Sequence, residues 1–134
     1  MMNVEIPTVN NKVAVEYLKV FYPSLKNEIT QLSYQDNLAG IIQATINYIK
    51  TLLQESKTSM VARKIKTMEW LYRNGNTYIK DLIENVFIRS FESMRRISDR
   101  QQWSLIYKYM PLQFQKIYED QVKKDELFFK KVHH

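Results

Sequence analysis

Residues 77–97 read TYIKDLIENVFIRSFESMRRI, and the spacing of apolar positions in this stretch predicts a helix of about six turns. Ile79, Leu82, Ile83, Val86, Phe87, Ser90, Phe91, Met94 and Ile97 recur at threes and fours. They cover nearly half the circumference, as a central helix packed on several neighbours requires. Thr77 is expected to cap it, and Ser90, in mid-stripe, reads as a small residue that permits close helix approach. Glu84 and Asn85 fall outside the apolar arc and read as a solvated face or an interhelical hydrogen bond.

The same punctuation continues in both directions. Upstream, Met60 to Asn74 carries Val61, Ile65, Met68 and Tyr72 on one stripe, with Ser56 to Ser59 as capping candidates and Gly75 as a helix-ending glycine. A helix is expected to begin around Gln35 to Asn37 and run to about Ser56, with Leu38, Ile41, Ile42, Ile46, Ile49, Leu52 and Leu53 inward. A helix over residues 11–22 carries Val13, Ala14, Tyr17, Leu18, Val20 and Phe21, and Pro23 stops it and opens the next, with Leu25, Ile29 and Leu32. Downstream, Ser98 and Gln101 fit a capping box before a short helix carrying Trp103, Leu105 and Ile106. Pro111 then restarts the chain for a last helix with Leu112, Phe114, Ile117, Tyr118 and Val122. The expected fold is an all-α, single-domain bundle of six or seven helices over residues 11–122. An N-terminal arm (1–10) precedes it and a basic C-terminal tail (123–134) follows.

Two glycines and three prolines in 134 residues argue against glycine-rich phosphate loops and hairpin-rich β folds. The absence of cysteine excludes disulfides, thiolate metal sites and a cysteine nucleophile, and makes the cytoplasm the expected compartment. No basic and apolar leader opens MMNVEIPTVNNKV, so no secretory signal is expected. Leu38 to Leu53, the most apolar run, is broken by Gln43, Asn47 and Lys50, so no membrane span is expected. The only histidines are His133 and His134, read as a terminal tail or tag remnant. With neither His nor Cys inside, imidazole-based catalysis and the usual metal sites are unavailable, and no catalytic, cofactor or metal residue is expected.

Binding is better supported than catalysis. The net charge of +6 is uneven: residues 1–56 hold four Lys/Arg against five acids, and residues 57–134 hold sixteen against nine. A positive field of this kind favours anionic partners. Arg63, Lys66, Trp70 and Arg73 project from one side of the fourth helix, where the indole could stack on a base, anchor a partner helix, or simply pack under a neighbour with the cations flanking it. Arg89, Arg95, Arg96 and Arg100 form a second basic cluster, which also complements a helix C-terminus. A helix-turn-helix reading fails, because its recognition helix would begin with the apolar and acidic Tyr78-Ile79-Lys80-Asp81-Leu82. Nine tyrosines, six phenylalanines and two tryptophans exceed what one small core obviously needs. The surplus suits a partner groove or a homodimer face.

Ile83 to Phe91, then Trp103-x-x-Ile106-Tyr107-x-x-Met110-Pro111 and Ile117-Tyr118, with the earlier Phe21-Tyr22-Pro23-x-Leu25, resemble a family of small uncharacterised all-helical bacterial proteins. The resemblance spans roughly residues 14–121 and implies a bacterial, cytoplasmic, single-domain protein without implying an activity. The leading expectation is a non-catalytic module that binds another protein or itself through the eight residues named above. Sequence-tolerant nucleic-acid binding is the alternative, and an immunity or inhibitor protein the second alternative.

Overall fold

A computed structural model describes residues 8–132. The helices are α1 (Asn11–Phe21), α2 (Lys26–Ser33), α3 (Leu38–Gln54), α4 (Thr58–Asn74), α5 (Thr77–Leu82), α6 (Phe91–Ile97), α7 (Arg100–Tyr109) and α8 (Leu112–Val132). A single 3₁₀ turn, Pro23–Leu25, leads into α2. The rod from α5 to α6 is unbroken, joined by a π turn at Ile83–Phe87 and a 3₁₀ turn at Ile88–Ser90. Counted as one body, it makes this a seven-helix, all-α, single-domain bundle with no strand among the described residues. His133 and His134, and residues 1–7 of the expected arm, lie outside the described residues.

Short polar side chains start four helices. Asn10, Asn37, Asn76 and Asp99 accept hydrogen bonds from the backbone of Val13, Gly40, Ile79 and Gln102 at 2.7–3.0 Å, each satisfying a donor that a helix start leaves orphaned. Asn76 thus caps α5 where Thr77 was expected, because Asn76 holds the extended backbone a cap needs, and Asp99 caps α7 in place of the Ser98 box, the Ser98 hydroxyl donating instead to the Met94 carbonyl at 2.6 Å. Asp36 (φ 51°) and Ser56 (φ 58°) end α2 and α3 in left-handed conformation. Asn37 N–H then reaches back to the Leu32 carbonyl at 3.0 Å, and Lys57 N–H to that of Leu52 at 2.9 Å, closing two Schellman motifs.

Gly75 ends α4 differently. Its backbone is extended (φ −72°, ψ 157°), so glycine is required there for space. A Cβ would lie 2.5 Å from the Leu71 carbonyl oxygen and 2.6 Å from Ile79 Cγ2. Val9 clasps the same turn, donating to the Asn74 carbonyl at 2.7 Å and accepting from Asn76 N–H at 2.9 Å.

The hub of the bundle is α3, which packs on α1, α2, α4, α6 and the π turn and buries Ile41, Ile42, Ile46, Ile49, Leu52 and Leu53. The α5–α6 rod lies against it, and α8 lies along the rod's 3₁₀ turn. Within the rod, Ile88 N–H bonds to the carbonyl of Ile83, five residues back. That extra residue resets the helical phase by roughly 100°. Ile88 is consequently fully buried although a regular wheel puts it opposite the stripe, and Ile97, expected inside, is 43% exposed. The wide turn also leaves the Glu84 carbonyl free to accept from Gln121 Nε2 of α8 at 2.8 Å.

Phe87 and Phe91, one turn apart past the wide hydrogen bond, pack with ring centroids 5.6 Å apart. Phe91 then meets Trp103 of α7 at 6.3 Å and Phe114 and Tyr118 of α8 at 6.4 and 5.9 Å. One ring therefore ties the rod to both later helices, in tilted or edge-on arrangements that suit aromatic quadrupoles. On α1, only Ala14, Leu18 and the following Tyr22 are buried, while Val20 and Phe21 of the expected stripe face out. Beyond Val122, α8 continues to Val132 through the stretch expected as a tail, with every residue there largely exposed.

Two glycine exchanges should have opposite effects. Gly75→Ala is expected to cost about 1–3 kcal/mol by overpacking, and Ser56→Gly to add about 0.5–1 kcal/mol by relieving a left-handed serine. Urea unfolding midpoints of the two variants check both signs.

Candidate functional site

Along α4 the expected binding face splits in two. Trp70 is half-buried, and its indole stacks on the Tyr17 ring of α1 at 4.6 Å and 16°, while Tyr17 touches Phe21 at 4.5 Å. Tyr17 Oη donates to the Thr67 carbonyl at 2.8 Å and Tyr22 Oη to that of Lys64 at 3.0 Å. The tryptophan is thus part of the seam between α1 and α4, with one face of the indole taken by Tyr17. Arg73 is drawn aside, its Nε 3.6 Å from Glu69 Oε1. Arg63 and Lys66 remain exposed and enter no ion pair among the described residues.

A groove opens on each side of this pair. Towards α7, a groove of about 460 Å³ is lined by Thr58, Ser59, Ala62, Arg63, Lys66, Leu105 and Tyr109. Towards α1, one of about 520 Å³ is lined by Tyr17, Phe21, Met60, Arg63, Lys64, Lys66 and Thr67. Lys64 bends inward to donate to the Phe21 carbonyl at 2.5 Å and lies 5.0 Å from the Tyr22 ring centroid. Burial first, and then the neighbouring Arg63, hold its ammonium below the ordinary lysine range.

Leu105 and Tyr109 are 49% and 63% exposed; Tyr109 is one of the surplus aromatics expected to suit a partner groove, and Leu105 is the residue that sequence reasoning missed here. Leu105 was placed inward with Ile106. The inward face of α7 is taken instead by Gln102, whose Nε2 donates to the Leu53 carbonyl at 3.2 Å, and by Ile106 and Met110. Once positions 102, 106 and 110 are assigned to the core, Leu105 and Tyr109 form a second stripe four residues apart, a signal already present in the spacing.

Two of the four arginines of the second cluster are ion-paired. Arg89 Nη1 lies 2.7 Å from Asp125 Oδ2, and Arg95 grips Glu92 with two bonds at 3.0 and 3.2 Å. Arg95 and Arg96 line grooves against α8 that also hold Glu92, Glu119, Asp120, Asp125 and Glu126. Arg100 is exposed at the start of α7 and, with Trp70, Arg73 and Arg89, lines none of these four grooves. The eight expected residues therefore belong to separate surfaces.

Three tyrosine–carboxylate hydrogen bonds knit the later helices: Tyr72 to Glu84, Tyr107 to Glu119 and Tyr118 to Glu92. Glu84 makes the interhelical bond that was one of its two expected roles. Arg95, its hydrogen-bonding partner, holds the Glu92 carboxyl below its usual range, with help from Tyr118 and against the effect of burial. Burial and then Glu84 push the Tyr72 phenol up to about 12, and burial and then Glu119 do the same for Tyr107. Tyr118 is raised further still, again by burial first and Glu92 second. Among the described residues no group of three or more His, Asp or Glu is placed to hold a metal ion, and no helix is long and apolar enough to cross a membrane.

Because the folded state favours the neutral phenols, their contribution to stability is complete below pH about 10 and is lost as pH climbs through the raised values. Urea midpoints should therefore fall between pH 10 and 12. Tyr72→Phe, which keeps the ring and removes the titrating group, should make that fall shallower.

No curated protein and no solved structure matches the chain. A family described as a domain of unknown function (DUF7674) matches residues 15–124, from α1 into α8, close to the span over which the sequence resemblance ran. The chain belongs to that family.

Proposed function

We propose that this protein is a non-catalytic helical module that binds another protein across α4 and α7. The observation that carries the reading is the α4–α7 groove: Leu105, Tyr109 and Ala62 supply apolar surface, and Arg63 and Lys66 border it without internal partners. Apolar anchors rimmed by charge are the usual composition of a protein-docking surface. Burying Tyr109 and Leu105 under a partner supplies binding free energy, and the cations select its charge.

A non-catalytic role is supported by the chemistry of the surface. The groove towards α7 holds no carboxylate, imidazole or thiol, and Lys64, in the groove towards α1, has its ammonium engaged by the Phe21 carbonyl. The reading includes a bacterial, cytoplasmic setting, supported by the sequence resemblance and the cysteine-free composition. Sequence-tolerant nucleic-acid binding keeps Arg63 and Lys66 as phosphate contacts. It loses its base-stacking platform, because Trp70 is engaged by Tyr17.

Photo-crosslinking in the source cell tests the proposal. A photoreactive amino acid replaces Tyr109, and in a control it replaces Tyr34, an equally conspicuous exposed aromatic at the end of α2. One discrete protein adduct from position 109 and none from position 34 is expected. Nucleic-acid adducts, no adduct, or the same adducts from both positions would overturn the reading.

A further inference from the structure

Taking that protein-binding reading as its basis, we infer that the occupant of the α4–α7 groove is an acidic amphipathic helix of a partner protein. Four observations define the site. The lining from Thr58 to Lys66 follows α4 for about 12 Å, roughly two helical turns. The opposite wall is the one-turn pair Leu105 and Tyr109. Ala62 lies between them, and a small side chain lets another helix approach closely. Arg63 and Lys66 stand three residues apart with no carboxylate against either, and Lys108 adds its charge 5.6 Å from the Tyr109 ring centroid.

The apolar lining decides between an extended and a helical occupant. An extended segment brings a row of unpaired N–H and C=O groups, which need a sheet edge or a polar wall. Here the wall is Ala62, Leu105, the Tyr109 ring and lysine and arginine stems, and only Thr58, Ser59 and the tip of Tyr109 offer hydroxyls, too few for a strand's row of backbone groups. No strand exists among the described residues to be extended. A helix carries its backbone hydrogen bonds with it and presents apolar side chains at i, i+4 and i+7, a repeat that spans the two turns of lining.

Charge fixes the other face. The groove's lining carries Arg63 and Lys66 and no carboxylate, while Arg89 has Asp125, Arg95 has Glu92 and Lys124 has Asp120. Carboxylates spaced one turn apart on a docked helix would therefore complete Arg63 and Lys66. The apolar floor separates this site from a bare polyanion surface, because phosphate or polyglutamate satisfies the cations and leaves Leu105 and Tyr109 in water.

The test titrates the purified full chain, by fluorescence anisotropy, with labelled peptides of about 18 residues, long enough for five turns of helix. One has leucine at i, i+4 and i+7 repeats and glutamate on its other face. The second is polyglutamate of equal charge, and the third exchanges glutamate for lysine. The leucine–glutamate peptide should bind at least about tenfold more tightly than polyglutamate and lose affinity from about 50 to 200 mM salt. Leu105→Ser and the pair Arg63→Glu with Lys66→Glu, all exposed positions whose helicity circular dichroism verifies, should each weaken it by about tenfold or more. Equal binding of polyglutamate, binding of the lysine peptide, failure of the leucine–glutamate peptide to bind, or variants without effect would each overturn the inference. Adducts of the photo-crosslinking experiment keep the two claims apart. A defined partner joined to position 109 through a non-acidic segment, or a second copy of this chain, sinks the acidic helix and leaves the binding module standing.

Discussion

One extra residue in the π turn at Ile83–Phe87 determines how the second half of the molecule is assembled. Helix side chains advance by about 100° per residue, so a regular helix through residues 77–97 would bury Ile97 and expose Ile88. The wide turn reverses both. It aims Phe87, Ile88 and Phe91 at one place, and Phe91 there holds Trp103, Phe114 and Tyr118. A wide turn sacrifices regular hydrogen bonding, and the structure offsets that loss locally through the bond from Gln121 to the Glu84 carbonyl.

The candidate site depends on this arrangement at one remove. With Trp103 held by Phe91 and Gln102 bonded to the end of α3, the rotation of α7 about its own axis is fixed. Leu105 and Tyr109 are then the residues left beside α4. The charge distribution follows from the same packing, because α8 brings Asp125 to Arg89 and its acidic stretch alongside Glu92 and Arg95. On that face Arg89, Arg95 and Lys124 are ion-paired, whereas Arg63 and Lys66 on α4 border an apolar groove with no carboxylate in its lining.

Much of the fold was legible because it rests on repeated, local signals. The three- and four-residue spacing located every helix, and the all-α class follows from that spacing together with the scarcity of glycine and proline. What escaped depends on geometry that a regular wheel does not contain. The phase change is invisible in the apolar pattern, since both Ile88 and Ile97 are isoleucines. Capping by Asn76 instead of Thr77 turns on which residue adopts extended backbone, and capping by Asp99 instead of Ser98 on the Ser98 hydroxyl turning back to Met94. Gly75 was legible as a helix end, while its physical reason, the crowding by Leu71 and Ile79, is tertiary. At the site, Arg63 and Lys66 were found from their shared face, but charge and spacing could not say that Tyr17 would claim Trp70. The eight residues separated for the same reason: ion pairing with α8 is set by packing, and composition carries no trace of it.

Deleting Asn85, an exposed residue inside the π turn, tests the phase reset most directly. Its removal lets Ile88 N–H bond to Ile83 in regular α geometry while both halves of the rod keep their present faces. The expected result is a folded protein within about 1 kcal/mol of the parent by urea unfolding, whereas deleting the exposed Asp81 one turn earlier should cost several kcal/mol by turning Ile83 and Phe87 out of the core. Equal damage from the two deletions would contradict a phase set by the extra residue.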